Sequence, residues 1–300
     1  MLNPVSFIYA LVLVAVVSCA SSYSNHEKIT GYNLLRPDNS FTLPDTLREI
    51  SGLTDIDSAT VACIQDENGI MFIYDVVQNK LTSQYPFGVD GDYEGISRVG
   101  STMYILRSDG TLLEIADYKK AQSPISTYDT GIPANNNEGL CYDPAHKRLL
   151  IASKGKIGKG PAYKNKRVIY GFDLKSKKLS QEPAFEFDIE VIKTFAIQNN
   201  IGLPTKSRKK KGETVTEPIL KFMTSAIAIH PISNQLFLLS ASDYLLFVFN
   251  TNGEIEYIEK LHPEIFKKAE GITFLDNGDL LITNEGENGW ATMLRFNYLR

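Results

Sequence analysis

An acidic residue, a glycine and an aliphatic residue recur along this chain, each time opening an apolar run. The copies are Glu94-Gly95-Ile96, Glu138-Gly139-Leu140 and Glu270-Gly271-Ile272, with a variant at Glu49-Ile50-Ser51-Gly52-Leu53 and a degenerate copy at Ser225-Ala226-Ile227. Successive starts lie 45, 44, 87 and 45 residues apart. A period of this size excludes most folds, because each unit is one supersecondary element that must be covered by its neighbours. A second apolar segment follows each start: TVACIQ (60–65), TMYILR (102–107), RLLIAS (148–153), QLFLLS (235–240) and DLLITN (279–284). A third follows that: GIMFIYDV, GTLLEI, RVIYGFDL, YLLFVFN and ATMLRFNY. These runs are rich in β-branched and aromatic residues and are bounded by turn pairs such as Asp109-Gly110 and Asn277-Gly278.

Strand, turn, strand, turn, strand at this period predicts the blades of a β-propeller, an all-β fold whose ring closure protects the sheet edges. The 87-residue interval leaves two readings open. Either it hides a sixth blade, or it holds one blade and an insertion; five blades is the favoured count. The insertion falls around 189–224 and contains IEVIKTFAIQ, which has helical spacing, and a basic run, KSRKKK (206–211). That run is read as a solvated loop. The last unit ends after three strands, so residues 31–43 are expected to supply its outer strand and close the ring. Residues 31–300 then form a single domain, expected to be monomeric.

Residues 5–18 are almost wholly apolar and too few to cross a bilayer comfortably, which suits a signal-peptide core. The run ends at Val16-Val17-Ser18-Cys19, resembling a bacterial lipobox, although no Lys or Arg precedes it. Residues 1–19 are thus read as a signal peptide with lipobox, Cys19 as the lipid-bearing first mature residue, and 20–30 as a tether. Acyl chains would hold the domain at a membrane surface of the bacterial cell envelope. Ala20 after the cysteine accords with the outer membrane. Cys63 and Cys141 lie in different repeats and are expected to be buried free thiols.

In a propeller the repeat starts converge on one end of a central channel, so Glu49, Glu94, Glu138 and Glu270 are candidate site residues. Converging carboxylates repel unless a cation compensates, and calcium, which accepts six to eight oxygen ligands in flexible geometry, suits the role. The alternative is ion pairing within blades, Glu94 with Arg107 and Glu138 with Lys154. Catalytic motifs are weak. There is no G-x-S-x-G elbow, P-loop, H-E-x-x-H or C-x-x-C. The four histidines are His26, in the tether, and His146, His230 and His262, which read as solvated turn residues. Gly155 to Gly160 is glycine-rich without phosphate-loop spacing. A net charge of −4 argues against nucleic acid as a partner.

The segment LPDTLREISGL (43–53), the later acidic starts and FEFD (185–188) resemble the SdiA-regulated, YjiK-like propeller family, over about residues 31–298. That resemblance implies a five-bladed propeller, distantly similar to NHL-repeat propellers, with a bound calcium ion and no established catalytic activity. The degenerate Ser225 start departs from any scheme that needs a carboxylate from every blade. The expected function is therefore a membrane-anchored, non-enzymatic binding or scaffold propeller, taking a protein or small-molecule ligand on one face. A calcium-dependent hydrolase, an esterase, lactonase or phosphatase, is the alternative.

The anchoring expectation has a direct test. Cys19→Ser should abolish lipid modification and move the protein out of the membrane fraction. Retention of the variant through a high-salt wash would refute the lipobox reading.

Overall fold

Each repeat start opens the innermost strand of an antiparallel sheet, and five such sheets stand around one axis. They are seen in a computed structural model that describes residues 31–299 except 121, 122, 135, 211, 212 and 288. The apolar leader, Cys19 and the tether lie outside the described residues. After β1 (Asn39–Thr42), the first blade comprises β2 (Ile50–Asp55), β3 (Thr60–Gln65), β4 (Ile70–Asp75) and β5 (Lys80–Pro86). The second comprises β6 (Tyr93–Val99), β7 (Thr102–Arg107), β8 (Thr111–Ile115) and β9 (Ile125–Asp129). The third has β10 (Asn137–Asp143), β11 (Arg148–Ser153) and β12 (Lys166–Asp173). Its outer edge is shared by β13 (Lys178–Leu179) and β14 (Phe185–Asp188). Next come helix α1 (Ile189–Gln198) and a hairpin of β15 (Thr205–Lys210) and β16 (Glu213–Pro218). The fourth blade is β17 (Ala226–Ile229), β18 (Leu236–Ser240), β19 (Leu245–Phe249) and β20 (Ile255–Lys260). The fifth is β21 (Ala269–Phe274), β22 (Leu280–Asn284) and β23 (Thr292–Phe296).

The blade count is therefore five. The long interval holds the rest of the third blade, the helix and the hairpin. The inner strands contact one another in the cyclic order β2, β6, β10, β17, β21 and back to β2. Each interface between adjacent blades has its own apolar cluster, five in all. This explains why the middle strands read as continuous apolar runs: they are buried on both faces. In β3, Val61 and Cys63 pack toward the fifth blade, while Ala62 and Ile64 pack toward the second. Cys63 and Cys141 belong to different interfaces and are free and buried, as expected.

Helix α1 forms because Asp188 caps it, accepting a 2.8 Å bond from the Glu190 amide. Ile189, Ile192 and Ala196, at helical spacing, cover the interface of the third and fourth blades. The basic run is not a loop. It forms β15, in register with β16 from Thr205↔Pro218 to Lys210↔Glu213, with Arg208 ion-paired to Glu217 at 2.7 Å. Thr205 before the run and Ser207 within it, opposite a partner strand that carries Thr214 and Thr216, favour pairing over the open loop that charge alone suggests.

Ring closure follows the expectation. β1 pairs antiparallel with β23, from Asn39↔Arg295 to Thr42↔Thr292. Phe41 and Leu43 enter the cluster between the fifth and first blades. Upstream, Tyr32 is buried beside Phe237, Phe274 and Tyr298. Its hydroxyl donates to the Gly278 carbonyl and meets His230 Nε2 at 2.8 Å. His230 is thus not a solvated turn residue. It is 1% exposed, and its Nδ1 accepts from the Ser233 amide at 3.0 Å, so Nε2 carries the proton. Burial lowers its pKa to about 4 and keeps it neutral.

Removal of residues 1–43 should expose the edge of β23 and strip the Tyr32 contacts, lowering the melting temperature sharply or causing aggregation. Removal of residues 1–30 should leave it nearly unchanged. Equal melting temperatures for the two truncated chains would rule out this closure.

Candidate site at the acidic channel mouth

Four of the five inner strands begin with a β-bulge at the same register. On β2 the pairing jumps from Ile50↔Gln65 to Gly52↔Ile64, leaving Ser51 as the extra residue. Glu94, Glu138 and Glu270 are the extra residues on β6, β10 and β21. A bulge re-aims its side chain out of the ladder, here into the channel mouth. The glycine that follows each bulge is required by close approach of the neighbouring blade. A Cβ on Gly52 would lie 3.2 Å from Gly95 Cα, and one on Gly95 would lie 2.8 Å from Leu140 Cβ.

This register corrects the sequence alignment at one position. Ser51, not Glu49, is the counterpart of Glu94, Glu138 and Glu270. The counterpart in the fourth blade is Ser225, just before Ala226↔Leu239. Both serines reach the next blade instead of the channel: Ser51 Oγ donates to the Tyr93 carbonyl and Ser225 Oγ to the Ala269 carbonyl, each at 2.7 Å. Glu49 lies two residues upstream, and its carbonyl accepts from the Asp66 amide at 3.2 Å. It still lines the mouth.

All four candidate glutamates come together there. A cavity of about 130 Å³ is lined by Glu49, Asp66, Glu94, Glu138, Glu270 and Glu285, with Lys154 and Lys268. Six carboxylates against two ammonium groups give four surplus negative charges when all are ionised. Of the two ion pairs expected, one forms. Lys154 Nζ pairs with Glu138 Oε1, whereas Arg107 turns away to Asp109 at 2.9 Å, and Glu94 has no ion pair or hydrogen bond among the described residues. Glu270, for which no partner was expected, has Lys268 Nζ at 3.8 Å, and Lys268 also pairs with Glu285. Lys268 escaped the sequence reading. Its signal was its offset, two residues before the bulge, the same as that of Glu49 before Ser51.

Burial and crowding raise four of these acids. Glu94 is pushed up to about 8, first by burial and then by Glu138 and Asp92. Glu138 is raised to about 7, burial outweighing the Lys154 hydrogen bond. Burial also raises Glu270, and burial with Glu49 and Glu67 raises Asp66. At Lys154 burial acts the other way, but the carboxylates around it prevail and its pKa rises. Several buried oxygens at this end, Asp66 Oδ1, Glu138 Oε2, Thr283 Oγ1 and Asn284 Oδ1, have no hydrogen-bond donor among the described residues. Orphaned acceptors of this kind call for water or a cation.

The donor set suits calcium in kind: hard carboxylate and amide oxygens with unsatisfied lone pairs. Its arrangement is not closed. Among the described residues, no three His, Cys, Asp or Glu side chains stand ready to enclose a metal ion. Of the three bulge glutamates, Glu94 alone has no ion pair among the described residues, and drawing Glu138 onto an ion beside it requires Lys154 to yield.

No protein-family model matches the chain, and no curated protein does. Solved structures do resemble it. A glutaminyl cyclase from Myxococcus xanthus superposes with a TM-score of 0.54 at 11% identity, covering 88% of this chain and 97% of that one. A streptogramin B lyase gives 0.48 at 11% identity, covering 86% and 97%, and a chain of a nidogen–laminin complex gives 0.48 at 14%, covering 78% and 72%. At such identities the likeness is one of fold.

The raised acids carry a pH signature. Between the ordinary glutamate range and about 8, the folded state binds more protons at Glu94 than the unfolded state does, so its contribution to stability falls as pH rises. Without divalent cations, Glu94→Gln should leave the melting temperature little changed near pH 5 and raise it at pH 8.5. The rise should be at least about 3 °C, given roughly 1.4 kcal/mol per pKa unit and 2–4 °C per kcal/mol. A variant that melts lower than the parent at pH 8.5 would contradict this electrostatic account.

Proposed function

We propose that this chain is a membrane-anchored, extracytoplasmic binding propeller of the SdiA-regulated, YjiK-like kind, whose acidic channel mouth takes a calcium ion. The observation that carries this reading is the surplus of carboxylate at one buried mouth, together with oxygen acceptors that no donor meets. Protons relieve the surplus at low pH. At neutral pH a divalent cation does so at less cost, and calcium tolerates irregular oxygen geometry where magnesium does not. Glu94 and Glu138 would hold the ion, with Glu270 and Asp66 in support. The five blades and their acidic starts agree with what the family resemblance implies. The lipobox at Cys19 supports a place in the bacterial envelope, at the outer membrane.

A second reading has one observation in its favour. Glu94 and Glu138, poised near neutrality beside Lys154, are placed to give and take protons, and calcium in such a mouth supplies polarisation of a carbonyl or phosphoryl oxygen. This would make the protein a calcium-dependent esterase, lactonase or phosphatase. Turnover of a panel of such substrates, abolished by chelator and by Glu94→Gln, would establish it.

Calcium at a hundredfold excess over its Kd should add about 2.7 kcal/mol, roughly 5–10 °C in melting temperature. Chelator should remove the gain and magnesium should restore little of it. Glu138→Gln and Glu94→Gln should each diminish the response. An identical melting temperature in calcium and in chelator would overturn the proposal.

A further inference from the structure

The channel has a second mouth, and it is built differently. One aliphatic residue from each blade, Leu53, Ile96, Leu140, Ile227 and Ile272, follows the bulge and its glycine or, on the fourth blade, Ser225-Ala226. These five side chains form a girdle across the channel. On its acidic side only about 10 Å³ remains free, roughly room for one water. On the other side the channel opens into a funnel of about 240 Å³. Three consecutive residues of every inner strand line it, beginning with the girdle residue.

The funnel is two-sided. The position after the girdle is Thr54, Ser97 and Thr273 on the first, second and fifth blades, which are neighbours in the ring. On the third and fourth blades it is Cys141 and Ala228, followed by Tyr142 and Ile229. One arc is therefore hydroxyl-bearing and the other apolar. Ser97 is 4% exposed and Thr273 is 6% exposed, yet neither hydroxyl has a hydrogen-bond partner among the described residues. Both line the funnel. Their oxygens are open to the funnel, where polar groups of a ligand can meet them.

Charge at the rim narrows the class of ligand. Arg98 is held mainly by the first blade: its Nε donates to the Asp55 carbonyl at 2.7 Å and its Nη2 to Asp55 Oδ2 at 2.5 Å, while its Nη1 reaches the Gly100 carbonyl of its own blade at 3.4 Å. Its charge is matched by Asp55. Asp276, also lining the funnel, is exposed, and it feels the charge of Arg98 without forming an ion pair with it among the described residues. The rim thus carries one surplus negative charge over a hydroxyl arc and an aliphatic floor.

We propose that this funnel is a ligand site for a small amphipathic amine, roughly ten non-hydrogen atoms in size. Its aliphatic body rests on the girdle and the Tyr142–Ile229 side. Its hydroxyl or amide groups meet Ser97 and Thr273, and its ammonium faces Asp276. This site is independent of the calcium proposal, since the girdle separates the two mouths.

The test uses the mature chain with three six-carbon probes: 6-amino-1-hexanol, hexane-1,6-diol and hexanoate, titrated by NMR. The amino alcohol should bind best and hexanoate least. Asp276→Asn should weaken the amino alcohol at least about fivefold and leave the diol unchanged, and Thr273→Val should weaken both. Unchanged melting temperatures would show that the variants fold. Glu138→Gln, at the other mouth, should have no effect. Loss of amine binding in Glu138→Gln but not in Asp276→Asn would assign the amine to the acidic mouth and overturn the proposal. So would stronger binding of hexanoate, or no saturable binding of any probe.

Discussion

Five inner strands must approach one axis closely, and most of the chemistry in this molecule follows from that crowding. Backbone meets backbone between Gly52 and Gly95, where a Cβ would lie 3.2 Å from the neighbouring Cα. The chain accommodates the approach with a bulge and a glycine, and the bulge turns the residue before the glycine into the channel. Where that residue is serine, at 51, it latches the next blade, as does Ser225 at the equivalent place on the strand without a bulge. Where it is glutamate, at 94, 138 and 270, it delivers a carboxylate to a confined space. Structural necessity and the charged mouth therefore share one origin.

Confinement decides how that charge behaves. Exposed carboxylates would stay ionised and screened. Here burial lifts Glu94 and Glu138 to about 8 and 7, within the range where protonation changes near neutral pH. Lys154 and Lys268 offset part of the surplus and leave the remainder to protons or to a cation. Beyond the aliphatic girdle the same strands make a funnel of opposite character, because alternation along each strand replaces glutamate and glycine with aliphatic and hydroxyl-bearing residues.

Much of this was legible in the sequence, for a physical reason: repetition averages over local ambiguity. Segments 60–65, 102–107 and 148–153 coincide with β3, β7 and β11, since strands buried on both faces must be apolar throughout. The closing strand was legible because the last repeat lacked one. What failed were features set by neighbours in space. Glu49 and Ser51 both precede Gly52, and only the pairing with β3 shows which one occupies the bulge. His230 sits in a turn by sequence, but Tyr32, 198 positions away in the chain, buries it. Lys268 joined the mouth through the same strand geometry that brought Glu49 there. The basic run folded as a strand because its hairpin partner supplies what local charge disfavours.

The central claim is that the buried carboxylates at 94 and 138 hold protons that a bound calcium ion displaces. Calorimetric titration of calcium at pH 7.5, in two buffers of different ionisation enthalpy, measures that exchange directly. The account predicts a buffer-dependent heat equivalent to release of about one proton per ion bound, lost in Glu94→Gln. Calcium binding with no proton release, or with release unaffected by Glu94→Gln, would contradict it.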